Sequence, residues 1–318
     1  MSNLSNDQGR ALEFSTLMVF EKEISEYRSV KIDKNSSFES AKKAWDKMSP
    51  QLKETFEKCA IAAAKVIFDL EPIILENGND TLELKIQPDQ AGKIGDVRDI
   101  LIIRAGMKWE IGLSIKHNHL AVKHSRLGST LDFGKSWFDV NCSAQYWNDV
   151  KPVFDRLALE KKKGSKWSDL SLKETVVYTP ILQAFVDEIK RSYAIHGKII
   201  PIRMIEYLLG RYDFYKVIGI DREKCTKVQA FNLRGSLNLK SKQKRSVCIV
   251  PLVNLPNRIV NIGIKPGSNT TVELYLDQGW QFGFRIHNAS TLVENSLKFD
   301  IQIIGMPATI LTIDKYWS

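Results

Sequence analysis

DILIIRAGMKWEIGLSIK, residues 99–116, is the stretch of sequence that decides the fold. Its two halves, DILIIR (99–104) and WEIGLSIK (109–116), are short runs of mainly apolar and β-branched residues, and AGMK (105–108) between them is typical of a turn. We predict two antiparallel strands joined by this four-residue turn, with Arg104 opposite Trp109. The hairpin is then expected at the centre of a mixed sheet.

Three polar residues of this hairpin, Asp99, Ser114 and Lys116, are predicted to share one face. Asp99 lies opposite Ser114, and residues two apart on a strand point to the same side, so Lys116 joins them near the strand ends. A carboxylate can hold Mg²⁺ against a phosphate oxygen, while an ammonium group stabilises developing negative charge or orients attacking water. The pattern therefore indicates hydrolysis of a phosphodiester, with Asp99 as a metal ligand and Lys116 as its catalytic partner.

A second metal-binding carboxylate has to come from elsewhere in the chain. Asp96 is an odd number of residues from Asp99 and faces the other way in extended chain, although a turn one residue longer or shorter would reverse that preference. Glu110 shares the face of Lys116, but six residues of strand span roughly 20 Å. Glu13 lies on the apolar stripe of a predicted N-terminal helix, where a carboxylate needs a partner such as a metal ion. For the second carboxylate we prefer Glu13, with Glu110 as the alternate, and for the first we rank Asp99 above Asp96.

The rest of the chain reads as a helical first part and a strand-rich last part. Helical periodicity covers residues 7–27, 49–69, 144–163 and 172–209. From residue 211 onwards, eight short apolar runs separated by turn-forming residues read as strands, among them SVCIVPLV (246–253). We predict a mixed α/β (α+β) fold with a catalytic segment at 1–210 and a basic, β-rich segment at 211–318.

Charge is distributed unevenly along the 318 residues, whose net charge is +9. Residues 1–159 contain 22 basic and 23 acidic side chains, and residues 160–318 contain 24 basic and 14 acidic ones. A near-neutral half joined to a basic half indicates that one part carries chemistry and the other meets a polyanion.

Composition excludes several classes of protein. A chain that is 43% hydrophobic and 26% charged is typical of a soluble globular protein rather than a disordered one. The opening MSNLSNDQGR has no signal-peptide pattern, and no window approaches the roughly 18 uninterrupted apolar residues of a membrane helix. The four cysteines have no metal-binding spacing. We expect a cytoplasmic protein with reduced thiols and no membrane partner.

These residues resemble a known nuclease core. Asp99, a hairpin, then Ser114-Ile115-Lys116 resembles the PD-(D/E)xK motif with serine in place of its second acid, and Glu13 in QGRALE resembles the helix glutamate that many members use as an extra metal ligand. The departures are the absence of a proline before Asp99 and the serine, which contributes a hydrogen bond or merely replaces the acid. The runs GDVRDILI, EIGLSIKHNH, AVKHSRLG, LDFGKSWF and GFRIHNASTLVENSLKFD look like the HaeIII type of restriction endonuclease.

The resemblance covers residues 95–300 and implies an activity. It implies a type II restriction endonuclease of the bacterial cytoplasm that uses Mg²⁺ to cut double-stranded DNA at a short palindrome, GGCC in the closest relatives, leaving 5′-phosphate ends. It also implies a companion DNA methyltransferase that acts on the same site without needing to bind this chain. A palindrome is compatible with either a monomer or a homodimer.

Three basic segments are predicted to contact DNA. The first segment, residues 117–126, follows the catalytic strand, and the second, residues 222–245, lies beyond the boundary at 211. Both are predicted to contact backbone phosphates, and Arg234 is also predicted to reach a base. In the third, Arg285 and His287 share a strand face, and arginine can bind guanine O6 and N7 at a G·C-only site. The predicted DNA-binding residues are His117, Asn118, Lys123, His124, Arg126, Arg234, Lys240, Lys242, Lys244, Arg245, Arg285, His287 and Asn288.

Two other functions stay open from the sequence. The missing motif acid favours a non-catalytic, sequence-specific DNA-binding or regulatory protein on a nuclease-like scaffold. A structure-specific repair or RNA nuclease is the other alternative. The string His117-Asn118-His119 does not indicate an HNH nuclease, because in that motif the three residues are dispersed along the chain.

Overall fold

The computed structural model describes residues 2–88, 95–118 and 121–318, so His119 lies outside it. The α-helices in this part of the chain are α1 (Ser2–Ser25), α2 (Ser36–Asp46), α3 (Pro50–Leu70), α4 (Phe133–Phe138), α5 (Ala144–Lys162), α6 (Thr179–His196) and α7 (Ile199–Leu209). The strands are β1 (Val30–Asp33), β2 (Leu82–Ile86), β3 (Ile100–Arg104), β4 (Trp109–His117), β5 (Ala121–Gly128), β6 (Phe214–Ile220), β7 (Cys225–Phe231), β8 (Ile259–Ile264), β9 (Thr271–Leu276), β10 (Gln281–His287), β11 (Ser296–Gly305) and β12 (Thr312–Tyr316). The predicted α+β fold class is confirmed.

Local sequence explains where the helices begin and end. The side chain of Ser49 accepts a hydrogen bond from Leu52 N, and Pro50 occupies the first turn of α3, where it needs no hydrogen-bond donor. The predicted helix over 172–209 is divided into α6 and α7 because Gly197 has a positive φ of 56° between them.

A seven-stranded sheet contains the predicted hairpin. Its strand order is β1-β2-β3-β4-β6-β7-β12, and β4 and β6 are parallel neighbours. The register of β3 and β4 is the predicted one, with Arg104 opposite Trp109, and Lys108 ends the turn in the left-handed region at φ 52°. Residues such as Ile111, Leu113 and Ile115 belong to the apolar core that one face of this sheet shares with α1 and α3. The opposite face carries Asp99 and Ser114.

A second sheet has five strands in the order β5-β11-β10-β9-β8, and its neighbouring strands are antiparallel. Its apolar face includes Phe284 and Phe299, which contact Phe185 of α6 with ring centroids 5.5 and 5.0 Å apart. Alternate residues of β10 and β11 are buried and partly exposed, as expected of a sheet covered on one side.

The chain forms two compact units that do not coincide with the predicted segments 1–210 and 211–318. The first unit contains residues 1–120, 210–253 and 308–318, and the second contains 121–209 and 254–307. Strand pairing explains this division, because β6, β7 and β12 join the sheet of β4, whereas β5 joins the sheet of β8 to β11. Which segment recognises DNA stays a prediction.

One predicted strand is wrong. SVCIVPLV (246–253) is an irregular segment in which Val250 N donates to the Asn238 side chain and Val253 N donates to Asn232 O. Pro251 has no N–H for a strand ladder, which explains why the apolar run does not pair. Among the described helices, none combines the length and the hydrophobicity that crossing a bilayer requires.

Candidate active site and nucleic-acid interface

Asp99 and Lys116 form an ion pair at the ends of two neighbouring strands. Lys116 Nζ lies 3.0 Å from Asp99 Oδ2, and the same oxygen accepts hydrogen bonds from Ile115 N at 2.6 Å and Ser114 Oγ at 3.3 Å. The register holds this arrangement, since Asp99 N donates to Leu113 O across the hairpin. The three residues predicted to share a face are therefore in contact.

The charge of Lys116 is maintained by its acidic neighbours. Burial alone would lower the pKa of Lys116, but the charge and hydrogen bond of Asp99, together with the charge of Glu13, raise it. Glu13 lines a cavity of about 250 Å³ with Arg10 and Gln87. The charge of Glu13 on α1 thus acts on Lys116, and the role of Glu13 as a metal ligand stays a prediction.

Asp96 and Glu110 belong to a different cluster. The Arg98 guanidinium donates two hydrogen bonds to Asp96, at 2.8 Å each, and a third to Glu110 at 2.9 Å, and Arg98 N also donates to Asp96 at 3.1 Å. Burial disfavours ionisation of Asp96, but the hydrogen bonds from Arg98 and Gln87 outweigh it and lower its pKa. Both alternate carboxylates, Asp96 and Glu110, are therefore hydrogen-bonded to the buried Arg98.

Gly112 makes room for this cluster. A Cβ atom at Gly112 would lie 2.0 Å from Arg98 Cδ, so the arginine side chain crosses the strand at the glycine. The Arg98 guanidinium also lies 4.1 Å from the ring centre of Tyr212. These contacts give Arg98, Asp96 and Glu110 a structural role that the sequence did not reveal.

The predicted DNA contacts of the first unit have varied surroundings. His117 Nε2 and Asn118 Nδ2 lie 2.8 and 2.9 Å from Asp221 Oδ2, so both side chains already have a protein partner. Arg234 is exposed, on a turn whose backbone N–H groups bind the buried carboxylate of Asp213.

The basic loop of the same unit is anchored at its base by a glutamate. Glu76 accepts hydrogen bonds from Ser241 Oγ and Lys242 N, and Gln243 contacts Asn77. The four predicted phosphate contacts of this loop are exposed, namely Lys240, Lys242, Lys244 and Arg245.

In the second unit, the five-stranded sheet brings together residues from distant parts of the sequence. Arg126 is paired with Lys298, and both His124 and Arg285 are paired with Asp300, which places these residues on one face of the sheet. This face has charged side chains and is partly exposed to solvent. His287, opposite Lys298, also belongs to it.

Two predicted contacts of the second unit have structural partners instead. Lys123 Nζ donates to Tyr207 O at 2.7 Å, and burial lowers the pKa of Lys123 to about 8. The Asn288 side chain donates to Ser290 O and Leu292 O and accepts from Glu294 N, so it closes a local turn.

Comparison with known proteins decides the family. The type II restriction enzyme HaeIII of Haemophilus aegyptius is 51% identical over 317 residues, which is 100% of this chain and 99% of that protein. The model of the HaeIII restriction endonuclease family matches residues 9–307. The chain belongs to the HaeIII restriction endonuclease family. No solved structure matches it significantly.

Membership in the HaeIII family confirms the predicted restriction endonuclease, a hydrolase that acts on double-stranded DNA. It removes the reason to prefer a non-catalytic scaffold or a repair nuclease.

Restriction enzymes of this class generally act with a divalent metal ion, and the site has suitable ligands for one. Asp99 and Glu13 are hard oxygen donors, and the described hydrogen bonds to the side chain of Asp99 all reach Oδ2. Within the described residues, no three His, Cys, Asp or Glu side chains cluster as a metal site. Two carboxylates still suit Mg²⁺, which commonly retains waters and takes phosphate oxygens as further ligands.

Sequence reasoning missed Lys216, which lies beside Ser114 of this candidate site. Lys216 is paired with Ser114 across parallel strands, so it lies on the face of Asp99 and is buried. Burial, with the nearby charge of Lys116, lowers the pKa of Lys216 to about 8. A lysine inside the apolar run FYKVIGI is the signal that would have found it, because burying an ammonium group in a core is costly.

Proposed function

We propose that this chain is a Mg²⁺-dependent type II restriction endonuclease that recognises GGCC, cuts both DNA strands and leaves 5′-phosphate ends. The observation that carries the proposal is the contact of Asp99 and Lys116 on neighbouring strands in a chain 51% identical to HaeIII. The proposed setting is the bacterial cytoplasm, where a companion methyltransferase protects the same sequence. The active form is a monomer or a homodimer.

The catalytic roles follow from the contacts. Asp99 and Glu13 would hold Mg²⁺, which supplies Lewis-acid stabilisation of charge on the scissile phosphate. Lys116, kept cationic by these two carboxylates, stabilises the same charge and orients the attacking water. Ser114 and Ile115 N fix the Asp99 carboxylate through hydrogen bonds to Oδ2. Lys216 adds a second positive charge on this face.

The DNA-binding roles are divided between the two units. In the first unit, Arg234 and the loop containing Lys240, Lys242, Lys244 and Arg245 neutralise backbone phosphates. In the second unit, Arg285 donates to guanine from the polar face of the five-stranded sheet. His117, Asn118, Lys123 and Asn288 reach DNA only if they exchange their present protein partners.

Digestion of one DNA of known sequence tests the whole proposal. We expect discrete fragments ending at GGCC sites in the presence of Mg²⁺, none with EDTA, and ends that ligate without added phosphorylation. DNA methylated at GGCC is expected to resist cutting. Cleavage at another sequence would overturn the specificity, and the absence of cutting with any divalent ion would overturn the mechanism.

A further inference from the structure

The basic loop, defined as residues 239–247, lies in a stretch of chain without regular structure. Between Phe231 and Ile259, a range that the structure describes throughout, the chain forms neither a helix nor a strand. The shape of the loop therefore depends on individual hydrogen bonds. Ordering such a loop on DNA would cost conformational entropy, so contacts that order it beforehand raise the affinity. Its exposed cations are Lys240, Lys242, Lys244 and Arg245.

Asn238 joins the two ends of the basic loop. Its side-chain Nδ2 donates to Leu70 O at 2.7 Å and to Cys248 O at 3.3 Å. Its Oδ1 accepts a hydrogen bond from Val250 N at 3.2 Å. One amide group thus holds the residue before the loop, the residues after it and the last residue of α3 together.

The backbone of Asn238 is bound to a buried acid. Asn238 N donates to Glu71 Oε1, which also accepts from Tyr215 OH at 2.7 Å. Glu71 is 0% exposed, so water does not compete for this acceptor. Asn238 has a φ of 59°, in the left-handed region that asparagine adopts more readily than most residues. Its backbone and its side chain are therefore both fixed.

Further hydrogen bonds connect the middle and the end of the loop to the segment that follows α3. Ser241 Oγ and Lys242 N both donate to the carboxylate of Glu76. Val247 N donates to Asp69 O at 3.0 Å. The loop is consequently attached along its length to one neighbouring segment, residues 69–76.

These attachments leave the charged side chains of the loop available. The described ion pair of the loop joins Lys244 Nζ to Asp69 Oδ1 at 3.8 Å, and both side chains are more than half exposed. Such an exposed pair contributes little, so a phosphate can replace the carboxylate at small cost. The hydrogen bonds order the backbone, while the cations extend into solvent.

We propose that Asn238 is a positioning residue that holds the basic loop in the shape in which its cations contact DNA phosphates. The inference rests on the proposed function, in which this loop neutralises backbone phosphates. Asn238 acts through the loop. With the two ends joined before binding, DNA does not have to order the loop, and the same phosphate contacts give a higher affinity.

Asn238→Gly tests the side chain without straining the backbone, because glycine adopts a φ of 59° freely. The full-length proteins are titrated with a GGCC duplex in EDTA at several salt concentrations. We expect Asn238→Gly to bind about tenfold more weakly, with an unchanged salt dependence, because the same phosphates are contacted at a greater entropic cost. Gln278→Gly, at an exposed residue with φ 62°, is the matched control and should bind like wild type.

A loop without charge provides the background that separates positioning from stability. Its four cations, Lys240, Lys242, Lys244 and Arg245, are replaced by glutamine. The slope of log affinity against log salt should then become less steep by about 3.6, the value for four phosphate contacts. Adding Asn238→Gly to this protein should change the affinity less than about twofold, because the groups that Asn238 positions are gone. A residue that only stabilised the fold would cause the same loss in both backgrounds.

A milder substitution serves if Asn238→Gly does not fold. Asn238→Ser has a single hydroxyl proton, which cannot replace both donations to Leu70 O and Cys248 O. It should show the same pattern, a loss of affinity in the charged background and none in the uncharged one.

Equal affinities of Asn238→Gly and wild type, or an equal loss in both backgrounds, would overturn the inference. An uncharged loop that keeps the wild-type affinity and salt dependence would overturn it too, since the loop then takes no part in binding. Failure of the proposed enzyme is measured separately. Mapped ends at another sequence, or no cutting with any divalent ion, would refute the GGCC endonuclease and leave the binding result for Asn238 intact.

Discussion

Two polar sheet faces in this molecule use one aspartate in opposite ways. In the seven-stranded sheet, Asp99 lies at the strand ends, and its Oδ2 atom accepts hydrogen bonds from Lys116, Ser114 and the backbone N–H group of Ile115. In the five-stranded sheet, Asp300 lies within paired strands and divides its two oxygens among two histidines and a lysine. The first arrangement concentrates charge at one place, and the second distributes donors and acceptors over a surface.

The comparison shows that polar residues on paired strands have different surroundings at the strand ends and in the middle of a sheet. Cross-strand pairing puts polar residues side by side in both sheets. At the strand ends, the carboxylate of Asp99 and the ammonium group of Lys116 remain partly exposed. In the middle of a sheet, neighbouring strands surround the acid with polar partners.

Removal of the lysine of the first face should have the largest effect. Lys116→Ala is expected to slow cleavage by about 10³-fold or more, because it deletes a charge-stabilising donor at the reacting phosphate. Specific DNA binding in EDTA should remain nearly unchanged. Single-turnover cleavage and a binding titration measure the two quantities. Lys58→Ala, on an exposed pair with Glu54, is the control, and cleavage at the normal rate by Lys116→Ala would remove the lysine from the mechanism.

The two aspartates near this face should respond differently to neutralisation. Asp96→Asn is expected to lower the free energy of unfolding by about 3 kcal/mol, because it leaves the buried Arg98 short of a charged partner. Asp99→Asn should abolish cleavage while changing stability by less than about 1 kcal/mol. Urea unfolding and cleavage assays measure both variants. A stable Asp96→Asn protein without activity would instead make Asp96 the metal ligand.

A third acid, Glu71, has no cationic partner among the described residues, unlike Asp99 and Asp300. Its carboxylate accepts from Tyr215 OH and Asn238 N, and burial raises the pKa of Glu71 to about 7. The folded protein therefore binds more protons than the unfolded chain between about pH 4.5 and 7, and stability should fall as pH rises through this window.

Glu71→Gln mimics the protonated acid and should remove that dependence. The difference in the free energy of unfolding, Glu71→Gln minus wild type, should be about 3 kcal/mol larger at pH 8 than at pH 4.5. Urea titrations of both proteins at the two pH values measure this difference. An equal offset at both pH values would mean that Glu71 is ionised throughout.

On the second face, Arg285→Ala should change recognition more than binding. We expect the specificity ratio between GGCC and a site with one substituted base pair to fall by about ten- to a hundredfold, the value of one guanine contact. Nonspecific binding should change less. Lys151→Ala, on an exposed helix pair with Asp155, provides the control. An unchanged ratio would exclude Arg285 as a base reader.

The smallest effect is expected from the second lysine of the first face. Lys216→Met should slow cleavage by about tenfold through loss of one positive charge near the phosphate, as single-turnover cleavage would measure. Lys216→Arg should retain more activity than Lys216→Met. Equal rates for Lys216→Met and wild type would leave Lys216 outside the reaction.

Periodicity and turn composition were sufficient for much of the fold and for the centre of the site. The spacing of Asp99, Ser114 and Lys116 followed from one hairpin, whose register depends only on a four-residue turn. The place of Lys216 could not be predicted, because it depends on a parallel strand about a hundred residues away from Ser114. The place of Arg98 could not be predicted either, because it depends on Gly112, which leaves room for the arginine side chain. SVCIVPLV misled the strand assignment, since local pattern does not reveal missing partners.

The sequence by itself determined the hairpin, the pairing of Asp99 with Lys116 and the family, because these depend on short-range spacing and on residues readable in order. Only the tertiary structure decided that β5 leaves the strand of Lys116 to join a different sheet, and that Asp300 meets His124. The physical reason is that strand pairing between distant segments is set by how apolar faces are buried together. Those faces are visible in the sequence, but their partners are not.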